Sequence, residues 1–292
     1  MCFFCNKNPS SQLLLLLFLV IVGTLLSVLF TFAISELLGL PLSKLNESLV
    51  FVRLVQVLSV SLLFLMPSFV YAWLQGEGIG KTLQMRHLPT MRGGALGLVG
   101  LFLLMPLVSL TSYWNEMLTL PSLLAPIEEW MRMQETLAEE MVAQFFVEKG
   151  WWSFVQNVFV IAIMAGLSEE VFFRGVVQRI IERSSSNPHL AIWGAAILFS
   201  AIHMQFFSFL PRMFLGAYLG YLLLWTRTLW VPIIVHAANN MILVIIMSSD
   251  SLKANEFLNG DIQAKDTPYY LLASIVSLLF LSFLVRKYQS RP

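Results

Sequence analysis

Glu169 and Glu170 stand side by side in IAIMAGLSEEVFFRGVVQRIIER, residues 161–183, a stretch apolar enough for a membrane that also carries Arg174 one helical turn further on. Bare carboxylates in hydrocarbon cost several kcal/mol even on lenient insertion scales, so neighbouring glutamates at this depth must be paired, solvated, protonated or used. Two other apolar stretches hold isolated polar side chains. FSAIH places His203 four residues after Phe199, and HAANN places Asn240 four residues after His236. A carboxylate beside two imidazoles supports two chemistries. Glu169, His203 and His236 can hold Zn²⁺ with a water as fourth ligand. Alternatively, Glu169 acts as general base on a water hydrogen-bonded to His203, while His236 and Asn240 donate to the oxyanion that develops when a peptide carbonyl is attacked. Either route ends in amide hydrolysis.

The spacing divides the labour. Glu170 and Arg174 are i,i+4, in the more favourable order for a salt bridge on one helix face. Glu169 is rotated about 100° away and is free of that partner. Glu169 is therefore expected to face a polar cavity, with Glu170 and Arg174 bracing it. Phe199 shares a face with His203, and Pro232, one turn before His236, is expected to open its helix. No Ser–His spacing on one face makes Ser168 or Ser200 a nucleophile, and Ser168 is expected to bond its own backbone. His87 and His189 fall at loop or helix edges and read as structural. From spacing alone, an enzyme, an ion-coupled carrier and a set of buried polar groups that merely hold helices together all stay open.

These residues need membrane helices to position them. About 20 apolar residues at 1.5 Å each cross a bilayer, and eight stretches suit: 13–38, 54–74, 94–112, 154–177, 189–204, 213–225, 229–247 and 269–285. The fold expected is all-α, one polytopic domain over 1–292 with about eight transmembrane helices. Gly216 and Gly220 give the sixth helix a small-xxx-small face for close contact. Residues 113–152 form an acid-rich extramembrane segment in which Ile127, Met131, Leu137 and Met141 recur at near-helical intervals, a surface helix lying along the bilayer. Placing both termini in the cytoplasm puts Lys7, the Lys81/Arg86/Arg92 loop, Arg179, Arg183, Arg227 and the Arg286/Lys287/Arg291 end on that side. Lys44, Arg53 and Arg212 are the exceptions. Measured from the basic side, Glu169 lies about 15 Å inward of Arg179, His203 about 21 Å from His189 and His236 about 14 Å from Arg227. The depths are close enough to meet round a cavity opening to the cytoplasmic side.

Composition agrees with lipid as the main solvent: 58% of the 292 residues are hydrophobic and 12% charged, where soluble domains are roughly a quarter charged. The 18 basic residues are scattered against 17 acidic ones without a basic stripe, which argues against nucleic acid. Cys2 and Cys5 sit too near the start to staple the fold, and the first apolar run is too long for a cleavable signal. GEGIGKT, residues 76–82, ends like a phosphate loop, but Gln75 stands where the first glycine should and no buried strand precedes it. The first half offers little of the repeated polar pattern a carrier would show, since 94–112 has no charge and 13–38 only Glu36, close to its end.

The three motifs resemble those of the CPBP intramembrane proteases, the group of type II CAAX prenyl endopeptidases and bacterial Abi or bacteriocin-processing relatives. SEEVFFRG, with Glu169, Glu170 and Arg174, is similar to EExxxR; Phe199 to His203 is similar to FxxxH; His236 to Asn240 is similar to the third motif. They occur in the family's order over about 165–243, the motif-bearing catalytic core. The resemblance implies that Glu169 with His203 activates water, that His236 and Asn240 stabilise the oxyanion, and that Glu170, Arg174 and Phe199 support the site. It leaves a zinc ion on Glu169, His203 and His236 beside a metal-optional glutamate mechanism, and the absence of HExxH favours the second. It further implies a peptide or protein substrate, membrane-anchored or prenylated, in contact with the lipid bilayer, and a bacterial cytoplasmic (inner) membrane location. A non-catalytic membrane scaffold on the same helices is the alternative. Oligomeric state is not specified.

Overall fold

The structure, a computed structural model, describes residues 8–39, 48–255 and 262–290. Cys2, Cys5, Lys7, Lys44 and Arg291 lie outside the described residues. Among those described, every regular element is helical. Helix α1 is Pro9–Leu37, α2 Leu49–Leu74, α3 Met91–Glu116, α4 Ala125–Gln144, α5 residues 151–185, α6 Pro188–Ala201, α7 Phe209–Thr226, α8 Trp230–Met247 and α9 Thr267–Gln289.

Local chemistry sets several of these ends. The Ser48 side chain accepts from the Phe51 amide at the start of α2, and Thr90 does the same for Gly93 at the start of α3. Asn187 accepts from the His189 amide with Pro188 at the first helical position, where its missing N–H costs nothing. Helices α5 and α7 end on residues with left-handed backbone, Ser186 and Arg227. Pro232 is the third residue of α8. Its absent amide is one that a helix start leaves unbonded anyway, so α8 is not opened at His236 as the sequence suggested.

Contacts between helix ends and loops define two faces. On one face, Leu229 donates to the Gln84 carbonyl at 3.0 Å, Trp230 Nε1 to Met85 at 3.0 Å and Thr228 to His87 at 2.6 Å. Arg179 reaches the Thr82 carbonyl, and Tyr71 and Arg183 both reach Gln12. This face gathers the start of α1, the end of α5 and the loop with Arg86 and Arg92. At the other, Arg53 lies inside α2, which begins at Leu49, ahead of the span expected at 54–74. It is 5% exposed and donates to Asn157, Gln156, Ser153 and Glu148. That desolvated network explains why this cation departs from the basic side.

By length and apolarity, α1, α2, α3, α8 and the last helix with its lead-in (Ala264–Gln289) can each cross a membrane. The other three expected spans fall short of that measure for visible reasons. Helix α5 carries the glutamates and Arg174, α6 has 14 residues, and α7 opens with Arg212. Helix α4 runs outside the bundle with Ile127, Trp130, Met133, Leu137 and Met141 exposed along it, the apolar stripe of an interfacial helix. Its start is fastened by the Leu120 amide and Arg132, which bond Glu128 and hold that carboxyl below the usual carboxylate range.

Glycines let the rods that carry the motifs approach. A Cβ on Gly166 would stand 2.9 Å from the Ala237 backbone nitrogen, so α5 and α8 touch through backbone. Gly216 and Gly220 face Ala196, Phe199 and Ile192 of α6, the contact face expected of them. Gly166→Val should force α5 and α8 apart and lower stability by about 1–3 kcal/mol, read as an earlier unfolding midpoint in detergent. An unchanged midpoint would show the contact to be slack. A topology reporter fused after Thr136, on α4, should read non-cytoplasmic.

Candidate functional site

Two wide turns of π-helix, Val158–Met164 and Phe173–Val177, flank the short stretch Ala165–Phe172 that bears the two glutamates. Such bulges rotate the faces on either side and recur at functional sites. Despite the second bulge, Arg174 Nη1 donates to Glu170 Oε1 at 2.7 Å, with both side chains almost wholly buried. Arg174 Nη2 donates to the Gly216 carbonyl of α7 at 2.7 Å, and its guanidinium lies 4.9 Å from the Phe199 ring centre on α6. One cation thus ties three helices together. Glu170 Oε1 also meets His236 Nδ1 of α8 at 2.8 Å, which adds the fourth.

Glu169 points elsewhere. Its side chain is 13% exposed, against none for Glu170, and its Oε2 lies 3.7 Å from His236 Nε2. His203 stands in the turn just past the end of α6, because the helix stops at Ala201 rather than at Met204. Its Nδ1 meets the Phe199 carbonyl at 2.7 Å. Phe199 is a hub: its ring lies 5.0 Å from His203, 5.9 Å from His236 and 5.2 Å from Phe173, centre to centre. Asn240 donates to the Ile161 carbonyl at 3.1 Å and accepts from Asn239. The structure therefore gathers Glu169, Glu170, Arg174, Phe199 and His236 directly, sets His203 against Phe199, and anchors Asn240 on a π-turn one step along α8.

The partners fix the tautomers. A carbonyl accepts only, so His203 Nδ1 carries the proton and its Nε2 presents a lone pair. A carboxylate already bonded to a guanidinium accepts as well, so His236 Nδ1 carries the proton and Nε2 again presents a lone pair towards Glu169. Hydrogen bonds of this kind also orient metal-bound histidines, and the donor chemistry is right for zinc. The spacing is not: among the described residues no three His, Cys, Asp or Glu side chains converge as a metal site.

Arg212 was legible in the sequence only as an exception to the charge rule. In the fold it stands near enough for its charge to act on both Glu169 and His203. Nη2 donates to Gln205 at 2.6 Å, while the buried Nη1 has no hydrogen-bond partner in the structure. The turn after His203 is held from outside. Glu135 of α4 accepts from the Phe207 amide at 3.1 Å and from Ser208 at 2.5 Å; Asn115 of α3 bonds Phe206 and Leu210. His203 and Arg212 lie at the ends of α6 and α7 remote from the basic face. The polar side chains beyond Glu169 therefore lead towards the acid-rich face, not the basic one as expected. Two cavities, of about 920 and 390 Å³, lie away from this cluster.

Arg174→Met should cost about 3–5 kcal/mol, because it strands a buried carboxylate. The double variant Glu170→Leu with Arg174→Met should regain most of that loss in the same detergent unfolding assay. Equal loss in single and double variants would place the effect elsewhere.

Comparison with known proteins bears on the same segment. Residues 151–242 match the family profile described as Type II CAAX prenyl endopeptidase Rce1-like. Over 86 residues the chain is 27% identical to the uncharacterised protein YpbD of Bacillus subtilis (strain 168), a match covering 28% of this chain and 41% of that protein. The chain thus spans well under two thirds of that curated relative, and no solved structure matches. The matched segment, under a third of the chain, contains every motif residue from Glu169 to Asn240, so residues 151–242 are similar to the Rce1-like type II CAAX prenyl endopeptidases in the stretch that carries the site.

Proposed function

We propose that the chain is an intramembrane endopeptidase in which Glu169 is the general base. The observation that carries this is the contrast between two adjacent carboxylates. Glu170 is fully buried and spent on Arg174 and His236, whereas Glu169 is partly accessible and faces an imidazole nitrogen at 3.7 Å without a cation of its own.

Glu169 removes a proton from a water that is also held by the Nε2 lone pair of His203. The hydroxide attacks the peptide carbonyl carbon and the carbonyl π electrons move to oxygen. Asn240 keeps a second amide hydrogen for that oxyanion. His236 becomes a second donor when the proton collected by Glu169 passes to its Nε2. Collapse of the tetrahedral intermediate breaks the C–N bond, and the same proton leaves on the amine nitrogen. Glu170 keeps His236 in the required tautomer, and Arg212 contributes positive potential from the acid-rich side. Substrates that fit this placement are peptides presented at the membrane, including those carrying a prenylated cysteine.

Glu169→Gln in the purified protein should lower cleavage of a quenched, membrane-anchored peptide by about 10²–10⁴-fold while leaving the unfolding midpoint near wild type. Full retained activity would overturn the role given to Glu169. The glutamate route needs no metal on Glu169, His203 and His236, whose side chains do not converge as a metal site among the described residues. Chelator-resistant activity is the expected outcome; loss of activity on chelation, restored by zinc alone, would overturn the metal-free route.

A further inference from the structure

The larger cavity, about 920 Å³, opens between α3, α7 and α9 at the basic face. Its rim carries Arg92, Arg227 and Lys287, and no acidic residue lines it. Among the described residues none of the three cations is in an ion pair. Arg227 is fixed in place by its left-handed backbone and by its amide, which donates to the Leu223 carbonyl at 2.9 Å. Arg92 and Lys287 are brought to it by the close approach of Tyr288 to Gly93, where an added Cβ would meet the Tyr288 hydroxyl at 3.3 Å. Below the rim the walls turn apolar, with Phe280 and Leu284 of α9 facing Val99 of α3. Phe280 and Val99 are about half exposed and continue the lipid-facing surface of their helices.

Three like charges held together without counter-ions repel one another, and in a membrane protein an anion at that level relieves them. The cavity is a charged ring over a greasy slot that opens sideways. A free phosphate would satisfy only the ring. An acidic phospholipid satisfies both, with its phosphodiester among the cations and an acyl chain along Phe280 and Leu284. We propose that this cavity is a binding site for an anionic phospholipid of the leaflet on the basic side. The site is separate from the motif cluster, and rests on the membrane-spanning architecture rather than on the peptidase reading.

The test is lipid retention by the full chain, read by native mass spectrometry after exchange into detergent with defined phosphatidylglycerol and phosphatidylcholine. Wild type should retain phosphatidylglycerol at least about tenfold more strongly than phosphatidylcholine, with the preference weakening as salt rises. Combining Arg92→Gln, Arg227→Gln and Lys287→Gln should reduce the preference to about twofold or less. Because the triple variant could fold poorly, Arg227→Gln and Lys287→Gln are also measured singly, each with an unfolding midpoint, and each should weaken the preference. Equal retention of the two lipids by wild type would overturn the proposal. So would a preference that survives in folded variants. Displacement of the lipid by millimolar inorganic phosphate would also overturn it, by assigning the ring to a free anion.

Discussion

The buried pair of Glu170 and Arg174 is the interaction on which the rest of the motif region depends. Isolated, either charge would be untenable at zero or near-zero exposure; together they pair through Glu170 Oε1, leaving the buried Oε2 without a hydrogen-bond partner, and Arg174 keeps donors with which to recruit neighbours. Arg174 spends its second nitrogen on a carbonyl of α7 and its face on Phe199 of α6, and Glu170 takes His236 of α8. Four helices are thus registered against one another at a single depth. Bilayer-exposed helices lack a hydrophobic drive to associate, so packing and polar contacts of this kind carry the specificity.

That arrangement sets the chemistry available to Glu169. With Nδ1 of each histidine committed to an acceptor, the Nε2 of each keeps a lone pair, and that of His236 stands 3.7 Å from the Glu169 carboxylate. Such a group attracts protons or a cation, and water supplies protons at the least cost. In the proposed hydrolysis the later donors would be Asn240 and whatever proton the acceptors had taken up.

Much of this was readable from residue types and spacing. The i,i+4 pairing of Glu170 with Arg174, the separate orientation of Glu169, the shared face of Phe199 and His203, and the contact face of Gly216 and Gly220 follow from helical periodicity alone. The Ser168 hydroxyl does bond the Ala165 carbonyl of its own helix. Other features were hidden. The π-turns around Ala165–Phe172 depend on which backbone bonds the neighbours favour, and a uniform 100° per residue cannot show them. Arg53 and Arg212 look like stray surface charges until the fold supplies Asn157 and Ser153 for one and Gln205 for the other. The early stop of α6 at Ala201 likewise reflects the grip of Asn115 and Glu135 on the following turn, at sequence separations no local pattern reports.

That grip has a mechanical meaning. The imidazole of His203 hangs from a hinge whose two fasteners belong to different bodies, Asn115 to a rod inside the bundle and Glu135 to a strut floating on its rim. Lifting the strut would loosen the hinge on one side while the bundle stayed intact, so the reach of that ring is set partly by how the rim helix rides on the surface beneath it.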